Sequence, residues 1–283
     1  MTVARNGSGP VAALGALGSQ VHPVFMLPAV ATSLFGASLA GDFRVGLAGV
    51  HVAAVAAGLY TAHVKDGYVD FYLRDEDDDH PLTETGCRLA LALSTAAFAV
   101  ATGALWSLVG PGAALVTLPG WVVGYLHAPQ LDTNPVTATT GYPLGVGLAL
   151  LGGNYVQTGA LTADAAAFGA VFVVVLSGIK VVDDAKDVEY DRSIEKRTVA
   201  VVLGRRRARQ TAYAVMAVGL LAVLALAVAS VFPRGSVLAV LAFVAVAFVA
   251  RRADDELATM LLIRGSYVFL ALLVVAVWFR PLS

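Results

Sequence analysis

The chain has 283 residues, 58% of them apolar and only 14% charged, with a formal net charge of −1 and a mean hydropathy of +0.76. Soluble domains carry about 25% charged residues, so this composition excludes an ordinary water-soluble core and points to a polytopic membrane protein. The basic residues lie at helix ends rather than in a patch, which leaves nucleic-acid binding without support, and Cys87, the single cysteine, excludes an intramolecular disulfide or a multi-thiolate metal site.

Residues 1–20 hold one arginine and a Gly/Ala-rich stretch without the sustained apolar core of a signal peptide. They are expected to form an uncleaved N-terminal cytoplasmic segment, and 21–283 a single integral-membrane domain. Apolar runs follow at 21–40, 45–64, 88–109, 112–127, 139–158, 164–182, 211–232, 236–250 and 257–279. Only helices satisfy their own backbone in lipid without closing into a barrel, so the predicted fold is an all-α bundle of about nine transmembrane helices. Breakers separate the runs at Gly41-Asp42, Gly110-Pro111-Gly112, Pro129 to Pro135, Gly159 and Pro233-Arg234-Gly235. Placing the N-terminus and the segments after even-numbered spans in the cytoplasm leaves only Arg44, Arg234 and Arg280 of the 19 Lys and Arg outside.

The two longest polar connections, 65–87 and 183–210, carry the acids. Asp66 and Asp70 are four residues apart, as are Asp183, Asp187 and Asp191 in turn. A four-residue step turns a helix by about 400°, so each set projects from nearly one face. Stacked carboxylates repel and are costly beside a bilayer; a cation removes the conflict. Hard carboxylate oxygens suit Mg²⁺, which typically arrives with phosphates. Asp66, Asp70, Asp183, Asp187 and Asp191 are therefore the candidate metal ligands of a diphosphate site. Lys180, three residues before Asp183, is a candidate cation for the phosphate oxygens. The alternative is a helix leaving the membrane through a solvated charged turn, and that reading fits Asp75 to Asp79 better.

His63 shares an i, i+3, i+7 pattern with Asp66 and Asp70 and either lines the pocket or packs. Tyr125 and His127 end the fourth run on the same side, placed either to meet a polar substrate or to anchor the interface. Asn154 and Gln157 close the fifth run, where amides also serve as glue between helices. Arg205, Arg206, Arg207 and Arg209 read as a topological anchor.

These residues resemble the motifs of the UbiA superfamily of intramembrane aromatic prenyltransferases. Asp183, Asp187 and Asp191 match its second acidic motif, D-x-x-x-D-x-x-x-D. The segment from Glu195 to Gly204 is similar to its K-R-T-L-x-V-x-L-G stretch, Tyr125 to Leu131 to its Y-S-x-P-P-L stretch, and His22-Pro23 to an early R-P or K-P position. Two departures stand out: Asp66 replaces the usual Asn of the first motif, and Arg74 stands where its third acid is usual. Gly153 to Gly159 resembles a segment of the dihydroxynaphthoate prenyltransferases, and archaeal-type geranylgeranylglyceryl phosphate prenyltransferases share the same motifs.

The resemblance implies nine helices and Mg²⁺-dependent transfer from a polyprenyl diphosphate donor to an aromatic, quinone-precursor or lipid acceptor, surrounded by membrane lipid. It implies catalytic roles for Asp66, Asp70, Asp187 and Tyr125, and substrate binding by Lys180, Lys186, Arg197, His63 and Asn154. The site would face the cytoplasm from a multi-pass protein of the cell membrane. A cation-coupled transporter is the main rival, but it calls for acids near mid-span, whereas these sit at span ends. A non-catalytic membrane protein with a decayed site is the second rival, favoured only by Arg74 and by the lack of Lys or Arg after Tyr125 to Leu131.

Overall fold

The computed structural model describes residues 2–282. Its helices are α1 (Gly9–Gly18), α2 (Pro23–Ser38), α3 (Val45–Tyr72), α4 (Glu84–Val109), α5 (Pro111–Tyr125), α6 (Pro135–Thr158), α7 (Ala163–Lys186), α8 (Val188–Ser193), α9 (Val199–Leu203), α10 (Arg205–Val228), α11 (Ser236–Ala250) and α12 (Asp255–Phe279), with a single π-helical turn at His127–Leu131. Among the described residues there is no strand, only an isolated bridge between Ala4 and Leu82.

Each of the nine apolar runs becomes one helix. Length and apolarity alone single out α3, α4, α7, α10 and α12 as able to cross a membrane; α1 and α2, bent by 64°, add a sixth span if taken together. The expected count of nine thus exceeds what those two criteria establish, because α5 and α11 have only 15 residues each and α6, with 24, is not among the helices apolar enough. Local chemistry sets the boundaries. Thr83, Thr162 and Asp254 cap α4, α7 and α12 by accepting the N–H of Gly86, Ala165 and Leu257. Prolines open α2, α5 and α6, where a missing N–H costs nothing.

The chain divides into two compact units, Met1–Asp132 with Leu144–Leu161, and Thr133–Pro143 with Thr162–Ser283. In the first, α3 packs along α4, and α5 packs on both. Gly36 and Gly153 let α2 and the second half of α6 meet backbone to backbone: a Cβ at either would collide with the carbonyl of Leu150 or Ser33. Small residues serve this way where no water drives helices together. Polar groups tie both helices to α3, with Ser33 Oγ of α2 2.7 Å from His51 Nδ1. Arg44 and Gln157 exchange hydrogen bonds, from Arg44 N to Gln157 Oε1 at 3.0 Å and from Gln157 Nε2 to Arg44 O at 3.2 Å.

In the second unit α7 runs against α10 and α12, and α11 packs on α12. Phe168 and Phe232 stack with centroids 3.8 Å apart, while Phe172 and Phe243 meet the Phe269 ring edge to face. Such aromatic pairs add roughly 1 kcal/mol each beyond the area they bury.

Candidate active site

The last turns of α3 carry the first acidic set in the first unit. Asp66 is half-buried, and the Asp70 side chain is largely buried at 15% exposure. Beside Asp66, Lys65 reaches α5: its Nζ donates to Tyr125 O at 3.2 Å and lies 4.4 Å from the centre of the Tyr125 ring. Trp121 also stacks on this tyrosine, with centroids 5.1 Å apart. Tyr125 is thus brought against the residue next to Asp66. His63 stacks on His22 at 4.7 Å and meets Phe25 edge to face. Those contacts come from the start of α2 and tie the His22-Pro23 position to the first motif.

Arg74 does not turn to Asp66. Its guanidinium forks onto Asp132, with Nη1 to Oδ2 at 2.6 Å and Nη2 to Oδ1 at 3.0 Å, and stands 3.6 Å from Asp70 Oδ1. The hydrogen bonds to Asp132 hold the Arg74 pKa above its ordinary value, outweighing desolvation. Asn154 is buried, and its Nδ2 donates to Gly36 O at 3.1 Å. Asn154 and Gln157 therefore both spend amide groups on helix packing.

The second acidic set lies in the second unit, but not on one continuous helix. α7 stops at Lys186, Asp187 sits at a break with φ −105° and ψ 17°, and α8 restarts at Val188. This corrects the single helical face expected from the spacing: the Asp187 side chain is 48% exposed, whereas Asp191 is buried. At the end of α7 two lysines neutralise the acids. Lys180 Nζ lies 3.3 Å from Asp183 Oδ2 and also pairs with Asp184; Lys186 Nζ lies 2.6 Å from Asp183 Oδ1 and 3.2 Å from Asp187 Oδ2. Asp191 accepts from Thr198 Oγ1 at 3.3 Å, and Thr198 also caps α9. Burial, reinforced by the charge of Asp184, pushes the Asp191 carboxyl up to about 6 against the pull of Lys196, Lys180 and Thr198. Arg197, in the link to α9, is exposed. The Arg205–Arg209 run does more than anchor: Arg205 bridges Glu189 at 2.7 Å and Asp255 at 3.3 Å, and Arg209 also pairs with Asp255.

Three participants escaped the sequence reading. Asp184 is buried, and its Oδ2 accepts no hydrogen bond; its signal was the four-residue step from Lys180. Asp132 follows directly on the Tyr125 to Leu131 stretch, and Lys65 directly precedes Asp66.

The donor set fits a hard divalent cation in kind, since it consists of carboxylate oxygens with a buried acceptor left over at Asp184. In this arrangement lysines hold the oxygens, and among the described residues no three His, Cys, Asp or Glu side chains converge as an ion-binding group.

An all-helical, strongly apolar chain with acidic clusters at the ends of two of its helices defines a class of integral membrane protein. The model of the UbiA prenyltransferase family matches residues 29–273, and the chain belongs to that family. Solved structures share the fold. A digeranylgeranylglyceryl phosphate synthase aligns with a TM-score of 0.72 at 11% identity, covering 94% of this chain and 98% of its own. An apo UbiA homologue from Aeropyrum pernix K1 gives 0.72 at 15%, covering 90% and 98%. A UbiA homologue from Archaeoglobus fulgidus, bound to GPP and Mg²⁺, gives 0.70 at 15%, covering 94% and 99%. No curated protein is significantly similar in sequence.

Proposed function

We propose that the chain transfers the prenyl group of a polyprenyl diphosphate to an aromatic quinone precursor or a related lipid acceptor, from the cytoplasmic face of the cell membrane. One observation carries this reading: within a family-wide match, the end of α7 gathers Asp183, Asp184 and Asp187 with two lysines, next to the buried Asp191. The Archaeoglobus homologue bound to GPP and Mg²⁺ supports it.

Asp66 and Asp70 in one cluster, and Asp183, Asp187 and Asp191 in the other, would hold Mg²⁺. When bound, the ion supplies positive charge that stabilises the departing diphosphate. Lys180, Lys186 and Arg197 bind phosphate oxygens as the allylic C–O bond breaks and the diphosphate leaves with the electron pair. The two lysines already stand among the acids, so phosphate competes with carboxylate for them. An electron-rich atom of the acceptor then bonds to the prenyl C1 and loses its proton. Tyr125 and His63 orient the acceptor or take that proton. Asn154 acts less directly, through the α2 contact that uses its amide.

The test is purified protein with geranylgeranyl diphosphate, Mg²⁺ and a panel of dihydroxynaphthoate, hydroxybenzoate and glyceryl-phosphate lipid acceptors. Transfer to one class, abolished by EDTA, is the expected result. Full activity in EDTA would refute the metal-diphosphate mechanism.

A further inference from the structure

The chain ahead of α2 is stitched to the first acidic motif. Arg5 N donates to Pro81 O and Thr83 N to Val3 O, both at 2.9 Å, forming the Ala4–Leu82 bridge. Thr83 Oγ1 donates to Thr2 O at 2.6 Å, and a Cβ at Gly86 would strike the Val3 carbonyl. Ala4, Leu82, Cys87, Ala16 and Val64 form one buried cluster. The Arg5 guanidinium lies 4.3 Å from the centre of the Phe71 ring. With Arg74, this places a second positive charge near the C-terminal end of α3, where the helix dipole is negative.

α3 meets these segments along one stripe at four-residue steps: Tyr60, Val64, Tyr68 and Tyr72. Tyr60 OH donates to Leu17 O at 2.9 Å, Tyr72 OH to Leu82 O at 2.9 Å, and Tyr68 OH to Glu84 at 3.3 Å. Beside the stripe, buried His80 accepts from Leu82 N through Nδ1 and presses its ring on Gly67, where a Cβ would lie 2.8 Å from Nε2. Asp66 and Asp70 stand two positions from the stripe, about 200° round the helix.

We infer that residues 2–18 and 80–86 form an intramolecular clamp that fixes the rotation of the last three turns of α3, and so aims Asp66 and Asp70 away from the tyrosine stripe. Tyr60, Tyr72 and His80 are positioning residues, and their kinetic effect rests on the proposed function. Ordering the stripe settles the direction of the acids, because residues on a helix turn together.

The experiment compares wild type, Gly86→Val and Tyr60→Phe/Tyr72→Phe in detergent by amide hydrogen exchange, and by KM and kcat for a prenyl diphosphate. Both variants are expected to exchange roughly tenfold faster at 68–83 with α12 unchanged, and to raise KM about fivefold with kcat changed less than twofold. Should Gly86→Val lose protection throughout, the double Tyr variant, which removes only two hydroxyls, decides. Unchanged exchange at 68–83 in that variant overturns the clamp, and faster local exchange without a KM change overturns the positioning role. Faster local exchange in a protein whose wild type transfers no prenyl group upholds the clamp and overturns the proposed function instead.

Discussion

Arg74 and Asp132 form a two-pronged ion pair, at 2.6 and 3.0 Å, joining the connection after α3 to the end of the π-helical turn that follows α5. Both side chains are largely buried, at 14% and 13% exposure. The arginine that replaces a usual acid therefore has a structural partner of its own. Arg74→Ala and Asp132→Ala should each destabilise the protein by about 1–3 kcal/mol, and the double variant by less than their sum. Coupling of Arg74 to Asp132 should exceed its coupling to Asp66. A denaturation cycle in detergent that gives strict additivity for Arg74 and Asp132 would reject the pairing.

Lys180 is the counter-ion of a buried acid. Asp184 has one oxygen on Lys180 and one without a hydrogen bond. Lys180→Met would leave that carboxylate uncompensated and should cost about 3 kcal/mol, more than Lys186→Met, whose partners are better exposed. Adding Asp184→Leu to Lys180→Met should recover most of the loss. Equal stability losses for the two lysine variants would count against this ranking.

Asp70→Ala and Asp187→Ala should each lower prenyl transfer by roughly a hundredfold or more while leaving the circular dichroism of the protein unchanged. Asp66→Asn keeps an oxygen ligand, so it should raise the Mg²⁺ requirement and retain much of the maximal rate. A neutral Asp187→Ala would remove the second acidic motif from the mechanism.

Asp191 predicts a pH effect in metal-free protein. Its carboxyl is raised to about 6 by burial, so the fold favours its protonated form. That contribution is complete below the ordinary carboxylate pKa and is lost as pH rises through about 6. Thermal stability in EDTA should therefore fall between pH 5 and 7 in wild type more than in Asp191→Asn. Parallel curves for the two proteins would show that Asp191 titrates normally.

Single cysteines at Asp78, Arg206 and Arg234 should report topology cleanly, because all three positions are exposed and Cys87 is buried. Labels at 78 and 206 are expected to react from the cytoplasm and a label at 234 from outside. External labelling at 206 would invert the orientation drawn from the basic residues.

The sequence alone determined where the helices lie. In an apolar solvent a backbone must satisfy itself within its own segment, so each of the nine runs between α2 and α12 became one helix, ended by its Gly, Pro or cap. The nearness of Lys180 to Asp183 was legible because a three-residue step brings neighbours together on any helix, but read as a cation for phosphate oxygens, Lys180 in the fold pairs with the acid itself. Tertiary structure decided what periodicity does not encode. The break at Asp187 splits a perfect four-residue repeat between two helices. Arg74 finds Asp132 across 58 residues, Asn154 spends its amide on Gly36, and the chain from 2 to 5 pairs with 81 to 83. Those contacts join residues far apart in the chain, and their free energy comes from burial and hydrogen bonding that exist only once the helices have packed.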